Sequence, residues 1–288
     1  MPGKNEVVWV ENRLNAPLEV KKAFQFLHSN DPRTKRDGEG YIPSDQLYVL
    51  SPDSQKINFK KAKRFTRSEM MVMEMLSTNE WQRPIYFAVT IGSDYHLGLD
   101  PYLELTGLAY RITPERSQDG RPRVNTEVMY DNMLHKFKYG NMNIPGIYID
   151  ENTMRMCRTH RMMFMELVEA LYNEGKHDKC LETLDFAEKM LPGYNIPYDY
   201  TSATMASYYY QLGEMEKGNA IMTKVADNCA EYLAWGASLD KEHRASSQST
   251  TGHYMAVMGY VLQNFERYQQ KELFNHYYDI YVQYASMR

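Results

Sequence analysis

Residues 164–192 read FMELVEALYNEGKHDKCLETLDFAEKMLP, and this stretch decides the fold. Phe164, Leu167, Val168 and Leu171 recur at the spacing of one helical face. Gly175 breaks the pattern, Cys180, Leu184 and Ala187 resume it on a second helix, and Pro192 closes it. Two short helices joined by a turn cannot bury both apolar stripes alone, so the pattern predicts a stack of hairpins repeating every ~34 residues. A second copy begins 38 residues on, with Ser202, Met205, Ala206 and Tyr209, a turn at Gly213, then Gly218 and Met222. The loop at residues 193–197 absorbs the extra length. Met255, Met258, Gly259 and Leu262 open a third hairpin whose second half, residues 271–284, departs from the pattern as a capping element would. Between the second and third hairpins, residues 237–252 carry the run Ser246-Ser247-Gln248-Ser249-Thr250-Thr251 and read as a mobile loop.

Toward the N-terminus the composition changes near residue 150. Turn residues recur at Asn30-Asp31-Pro32, Asp37-Gly38-Glu39-Gly40, Asp119-Gly120-Arg121-Pro122 and Ile144-Pro145-Gly146. A helix is predicted over residues 17–27, with Pro17 in its first turn, and another over residues 67–76. Residues 85–90 suit a buried strand, and residues 108–112 a second one closed by Pro114. The reading is an α+β, mostly α chain: a small α/β domain at residues 1–150, then a helical-hairpin array at residues 151–288 with a terminal capping helix pair.

The chain has 288 residues, 43% hydrophobic and 24% charged, as folded chains do, and its length suits two domains. No run approaches the ~18–20 apolar residues of a membrane span, and the opening MPGKNEVVWVEN lacks the apolar stretch of a secretory signal. A net charge of −4 argues against a nucleic-acid partner. Cys157, Cys180 and Cys229 are too few and too scattered for a disulfide framework or a zinc ribbon. The load of 24 Tyr and 20 Met suits packing between stacked hairpins, where such side chains fill uneven gaps, and leaves a few first-helix tyrosines for binding.

The phrases Met73-Glu74-Met75-Leu76-Ser77-Thr78-Asn79-Glu80-Trp81-Gln82-Arg83-Pro84-Ile85-Tyr86-Phe87-Ala88 and Leu97-Gly98-Leu99-Asp100-Pro101-Tyr102-Leu103-Glu104-Leu105-Thr106-Gly107-Leu108-Ala109-Tyr110-Arg111, with further ones at residues 125–131 and 150–161, carry a resemblance over most of the chain. They resemble the soluble region of a large bacterial family of multi-pass membrane proteins. That family's membrane half is similar to protein O-mannosyltransferases using a lipid-linked sugar donor. The resemblance implies that this chain is the C-terminal soluble portion of such a protein on the periplasmic face of the inner membrane, with a glycan or lipid-linked sugar reached only through the longer protein. No catalytic residue carries over. A complete chain with its own start would be cytoplasmic instead. The hairpins themselves resemble tetratricopeptide repeats.

The favoured function is therefore a non-catalytic interaction module that recruits a protein or peptide partner to a membrane glycosyltransferase-like protein. The groove is expected on first-helix residues, among them Glu166, Glu169, Tyr172, Tyr208 and Tyr209. The alternative is a carbohydrate-binding or enzymatic site in the α/β half around Trp81, Asp94, His96 and Asp100, a loop cluster after a candidate strand. Against it, Asp100 reads equally as the cap of a helix starting at Pro101, and Trp81 as an anchor between helix and strand. Cys157 with His160 is half a metal site at most, and Asp131 with His135 reads as a surface pair. The basic run Lys56, Lys60, Lys61, Lys63, Arg64 and Arg67, interleaved with Phe59 and Phe65, reads as a solvated face, with anionic lipid headgroups the minority alternative. No nucleotide-binding, serine-hydrolase or metalloprotease motif occurs, and neither cofactor nor metal is expected.

Overall fold

The computed structural model describes residues 7–285 and shows an α+β chain. It divides into two compact units, the first ending at Met129 and the second starting at Tyr130. The first unit runs β1 (Val7–Trp9), β2 (Leu18–Glu19), α1 (Val20–His28), β3 (Lys35–Arg36), β4 (Glu39–Gly40), β5 (Leu47–Leu50), β6 (Lys56–Asn58), β7 (Arg64–Thr66) and α2 (Arg67–Asn79). It continues through β8 (Tyr86–Ala88), β9 (Leu103–Leu105), β10 (Ala109–Ile112), β11 (Arg123–Val124) and the first turn of α3 (Thr126–Asp131). Strands pair as β11-β9-β10-β8, β2-β5-β6, β1-β7 and β3-β4. The pairs β2/β5 and β9/β11 are parallel and the others antiparallel.

One apolar core holds these pieces: Val20 and Ala23 of α1, Leu47 of β5, Phe65 of β7, Met73 and Leu76 of α2, and Phe87 of β8. The α2 helix starts where Thr66 accepts the Glu69 N–H while the Glu69 carboxylate accepts the Thr66 N–H, a reciprocal cap. It stops where Glu80 and Trp81 both adopt left-handed backbone. Three expectations change here. The first helix begins at Val20, because Leu18 and Glu19 pair with Leu47 and Tyr48. Residues 86–88 form an edge strand that buries Phe87 and exposes Tyr86 and Ala88, so it is not buried on both faces. Pro101 belongs to a single 3-10 turn, Asp100–Tyr102, that feeds the buried strand β9 instead of a helix.

In the second unit, α3 passes into a π-helical turn, Asn132–Lys136. There follow α4 (Glu151–Asn173), α5 (His177–Met190), α6 (Tyr200–Gln211), α7 (Met215–Ser238), α8 (Lys241–Arg267) and α9 (Lys271–Ala285). The helices pack as consecutive pairs, α4 on α5, α6 on α7 and α8 on α9, with α4 against α6 and α7 against α8 linking the pairs. Gly175 and Gly213 turn the first two hairpins at positive φ, as their positions require. Asp150, Asp199 and Asp240 each accept N–H groups at the start of α4, α6 and α8. The boundary falls earlier than the change of composition near residue 150. Residues 139–144 are tied to the helices, with the Tyr139 ring beside Phe164 and Phe186 and the Asn195 amide donating to the Met142 and Ile144 carbonyls.

The expected loop at residues 237–252 is a correction: only Leu239 and Asp240 separate α7 from α8. The Ser246, Ser247 and Thr251 hydroxyls donate to the carbonyls of His243, Arg244 and Ser247, three or four residues back. The hydroxyls that favour turns are thus satisfied inside the helix.

Candidate functional site

Four of the five groove residues converge. On α4, Glu166, Glu169 and Tyr172 recur at i, i+3 and i+6, and the Tyr172 ring meets the Tyr208 ring of α6 edge-on at 5.4 Å between centroids. Tyr172 also lies 5.1 Å from the His177 ring, and Tyr200, two turns before Tyr208, contacts Tyr260 of α8 at the same distance. A row of phenols thus runs over α4, α6 and α8. Burial pushes the Tyr208 hydroxyl up to about 12, with the Glu169 charge adding to it. Burial, and then the neighbouring Glu169, also raises the Glu166 carboxyl.

Tyr209 departs from this face, because one residue along a helix turns the side chain by ~100°. It is 2% exposed, and its hydroxyl donates to Asp185 of α5, which also binds the Lys217 ammonium. Tyr209 is a packing residue with a bonded tip and cannot line a groove on the phenol row.

The loop cluster of the first unit splits. His96 is 4% exposed, held between Phe87 at 5.3 Å and Tyr110 at 5.6 Å, and its Nδ1 meets the Asp100 carboxylate at 2.9 Å. Asp100 therefore caps no helix; it orients an imidazole whose Nε2 is buried without a partner among the described residues. The Asp94 side chain is exposed, and it is the Asp94 carbonyl that accepts the Lys60 ammonium. The Trp81 indole N–H donates to the Leu50 carbonyl at 2.8 Å, and its ring lines a cavity of about 210 Å³ with Ser51, Pro52 and Leu76. None of Asp94, His96 or Asp100 lines that cavity, so the four side chains do not share one pocket.

The weaker pairs resolve as packing or surface contacts. Cys157 is buried, while His160 hydrogen-bonds the Met156 carbonyl. Asp131 pairs with Lys136, and His135 lies edge-on to Tyr130. In the basic run, Phe59 and Phe65 point into the core, Lys60 pairs with Glu69 and Lys61 with Asp45.

Sequence reasoning missed Arg161 of α4, which is 3% exposed. Its guanidinium donates to the carbonyls of Leu191, Ile196 and Pro197 at 2.9–3.0 Å and lies over the Tyr198 ring at 5.5 Å. Burial lowers its pKa, against the opposing pull of Asp199 and Glu188. This clamp sets the loop that delivers Asp199 and Tyr200 to the start of α6. An isolated Arg at an otherwise apolar helical position was the only signal available in the sequence.

Residues 50–131 match the family model described as TMEM260-associated domain 2, so this part of the chain is similar to that domain. The match takes in the phrases at residues 73–88, 97–111 and 125–131, and the phrase at residues 150–161 lies outside it. No curated protein and no solved structure matches the chain.

Proposed function

We propose that the helical unit is a non-catalytic docking module, built as tetratricopeptide-like hairpins, that holds a protein or peptide partner on the phenol row of α4, α6 and α8. The observation that carries this reading is the Tyr172–Tyr208 contact beside Glu166 and Glu169. Aromatic rings supply contact area at small entropic cost, and the two carboxylates select a Lys- or Arg-bearing segment. The match to TMEM260-associated domain 2 and the membrane-family resemblance support a place beside a membrane glycosyltransferase-like region, on the periplasmic side, where the module would recruit substrates.

Selection of a displayed peptide library on the full chain tests this. Recovered peptides should carry basic residues next to an apolar side chain, and Tyr172→Ala with Tyr208→Ala should weaken them at least tenfold. Peptides that bind the double variant unchanged would refute the face.

A further inference from the structure

The α7 helix is twice the length of α6, and the two run antiparallel from the turn at Gly213. They stay in register as far as Asn228, whose amide donates to the Tyr198 carbonyl just before α6 begins. Beyond that point the last turns of α7 have no α6 beside them. The space left is a cleft of about 700 Å³ bounded by α4, the start of α6, α7 and α8.

Its lining has a particular chemistry. Tyr232 and Trp235 lie one turn apart on α7, edge to face at 5.1 Å, and Tyr254 of α8 stacks on Tyr232 at 4.0 Å and 18°. Trp235 is 47% exposed and Tyr200, at the rim, 48%. Arg158 and Glu231 also line the cleft, and neither makes a side-chain hydrogen bond or ion pair among the described residues.

We propose that this cleft binds a saccharide, with a pyranose ring laid on the half-exposed Trp235 indole beside the Tyr232–Tyr254 stack and its hydroxyls bonded by Arg158 and Glu231. A guanidinium only donates and a carboxylate only accepts; a sugar hydroxyl does both, so one ligand satisfies both groups while its C–H face covers the rings. A pure polyproline segment would also suit the rings but has no N–H to donate to Glu231. An anionic nucleotide would meet Glu231 and Asp199 against Arg158, the one free guanidinium or ammonium lining the cleft among the described residues. The volume lies within the ~300–1,000 Å³ range of small-ligand sites. The site shares Tyr200 at its rim with the phenol row but uses none of Glu166, Glu169, Tyr172 or Tyr208, and Trp235 and Glu231 belong to the cleft alone, so its failure is distinguishable from that of the peptide face.

The test is a glycan microarray probed with the labelled full chain, followed by saturation-transfer NMR and titration with the strongest glycan. Trp235→Ala and Glu231→Ala should each weaken binding at least tenfold, Trp235→Phe should retain most of it, and Tyr278→Ala, an exposed aromatic on α9, should leave it unchanged. Trp235 is half exposed, so its replacement leaves the fold intact, which circular dichroism verifies. An array without signal, a bound glycan indifferent to Trp235→Ala and Glu231→Ala, or displacement of the glycan by a decaproline peptide would overturn the proposal.

Discussion

Replacing Arg161 should destabilise the helical unit more than its surface-like identity suggests. Three carbonyls, of Leu191, Ile196 and Pro197, depend on one guanidinium that is almost wholly out of water. Its nearest carboxylate, Asp199, is 3.9 Å away and contributes charge without a hydrogen bond, so the carbonyl bonds dominate. Each buried acceptor left without a donor costs ~1–3 kcal/mol, and partial relaxation of the loop keeps the three from adding in full. Arg161→Ala should therefore lower the unfolding free energy by about 3–5 kcal/mol, the lower part of what three stranded acceptors would cost. Arg161→Met, which keeps the volume, should recover only the packing part, and Arg161→Lys should recover less than the full fork because an ammonium cannot span three acceptors. Urea unfolding followed by circular dichroism reads the free energy, and hydrogen exchange over residues 192–199 reads the loop. A loss below ~1 kcal/mol with unchanged exchange at those residues would refute the clamp.

Further outcomes can be checked alongside it. Gly218→Ala should destabilise despite the ~1 kcal/mol advantage of alanine in a helix, because the new Cβ would lie 2.5 Å from the buried Tyr210 ring, and overpacking costs ~1–3 kcal/mol; a higher melting temperature would contradict this. The Glu166 carboxyl is raised in the folded state, so its protonated form favours the fold below the unfolded pKa and that contribution is lost as pH rises through the folded one. Glu166→Gln should accordingly gain stability over the parent progressively from acid toward neutral pH, and a pH-independent difference would be the wrong result. Burial lifts Cys180 to about 11 and Cys229 to about 12, so iodoacetamide at pH 8 should modify them only as the helices open; rapid labelling under native conditions would contradict this.

The helical unit was legible because Phe164, Leu167, Val168 and Leu171 keep the period of a buried face over several turns, and all four are fully buried. The start of α8 was not, since its serines and threonines carry the composition of a loop. The helix persists because Asp240 caps it and Met255, Met258, Val261 and Phe265 bury its far half. Strand β9 was hidden for a different reason. Three residues are too few to show alternation, and Glu104 is buried inside it beside Arg123 at 3.2 Å, a pairing no local pattern announces. Among the site residues, the face of Tyr172 and Tyr208 followed from helical spacing. The Arg161 clamp and the Trp235 cleft did not, because backbone carbonyls have no sequence signature and the cleft exists only through the unequal lengths of α6 and α7.

The phenols of the second unit have an optical consequence. Tyr139, Tyr198, Tyr208, Tyr209, Tyr210 and Tyr277 are all raised in the folded state, chiefly by burial, and Tyr198, Tyr209 and Tyr277 also donate to carboxylates that would repel a phenolate. Such groups support the fold below the unfolded tyrosine value of ~10, and the support is withdrawn as alkali reaches their folded values. Phenolate absorbance and loss of helical ellipticity should then rise together in strong alkali, so that ionisation of these rings and the opening of the helices become one spectroscopic event.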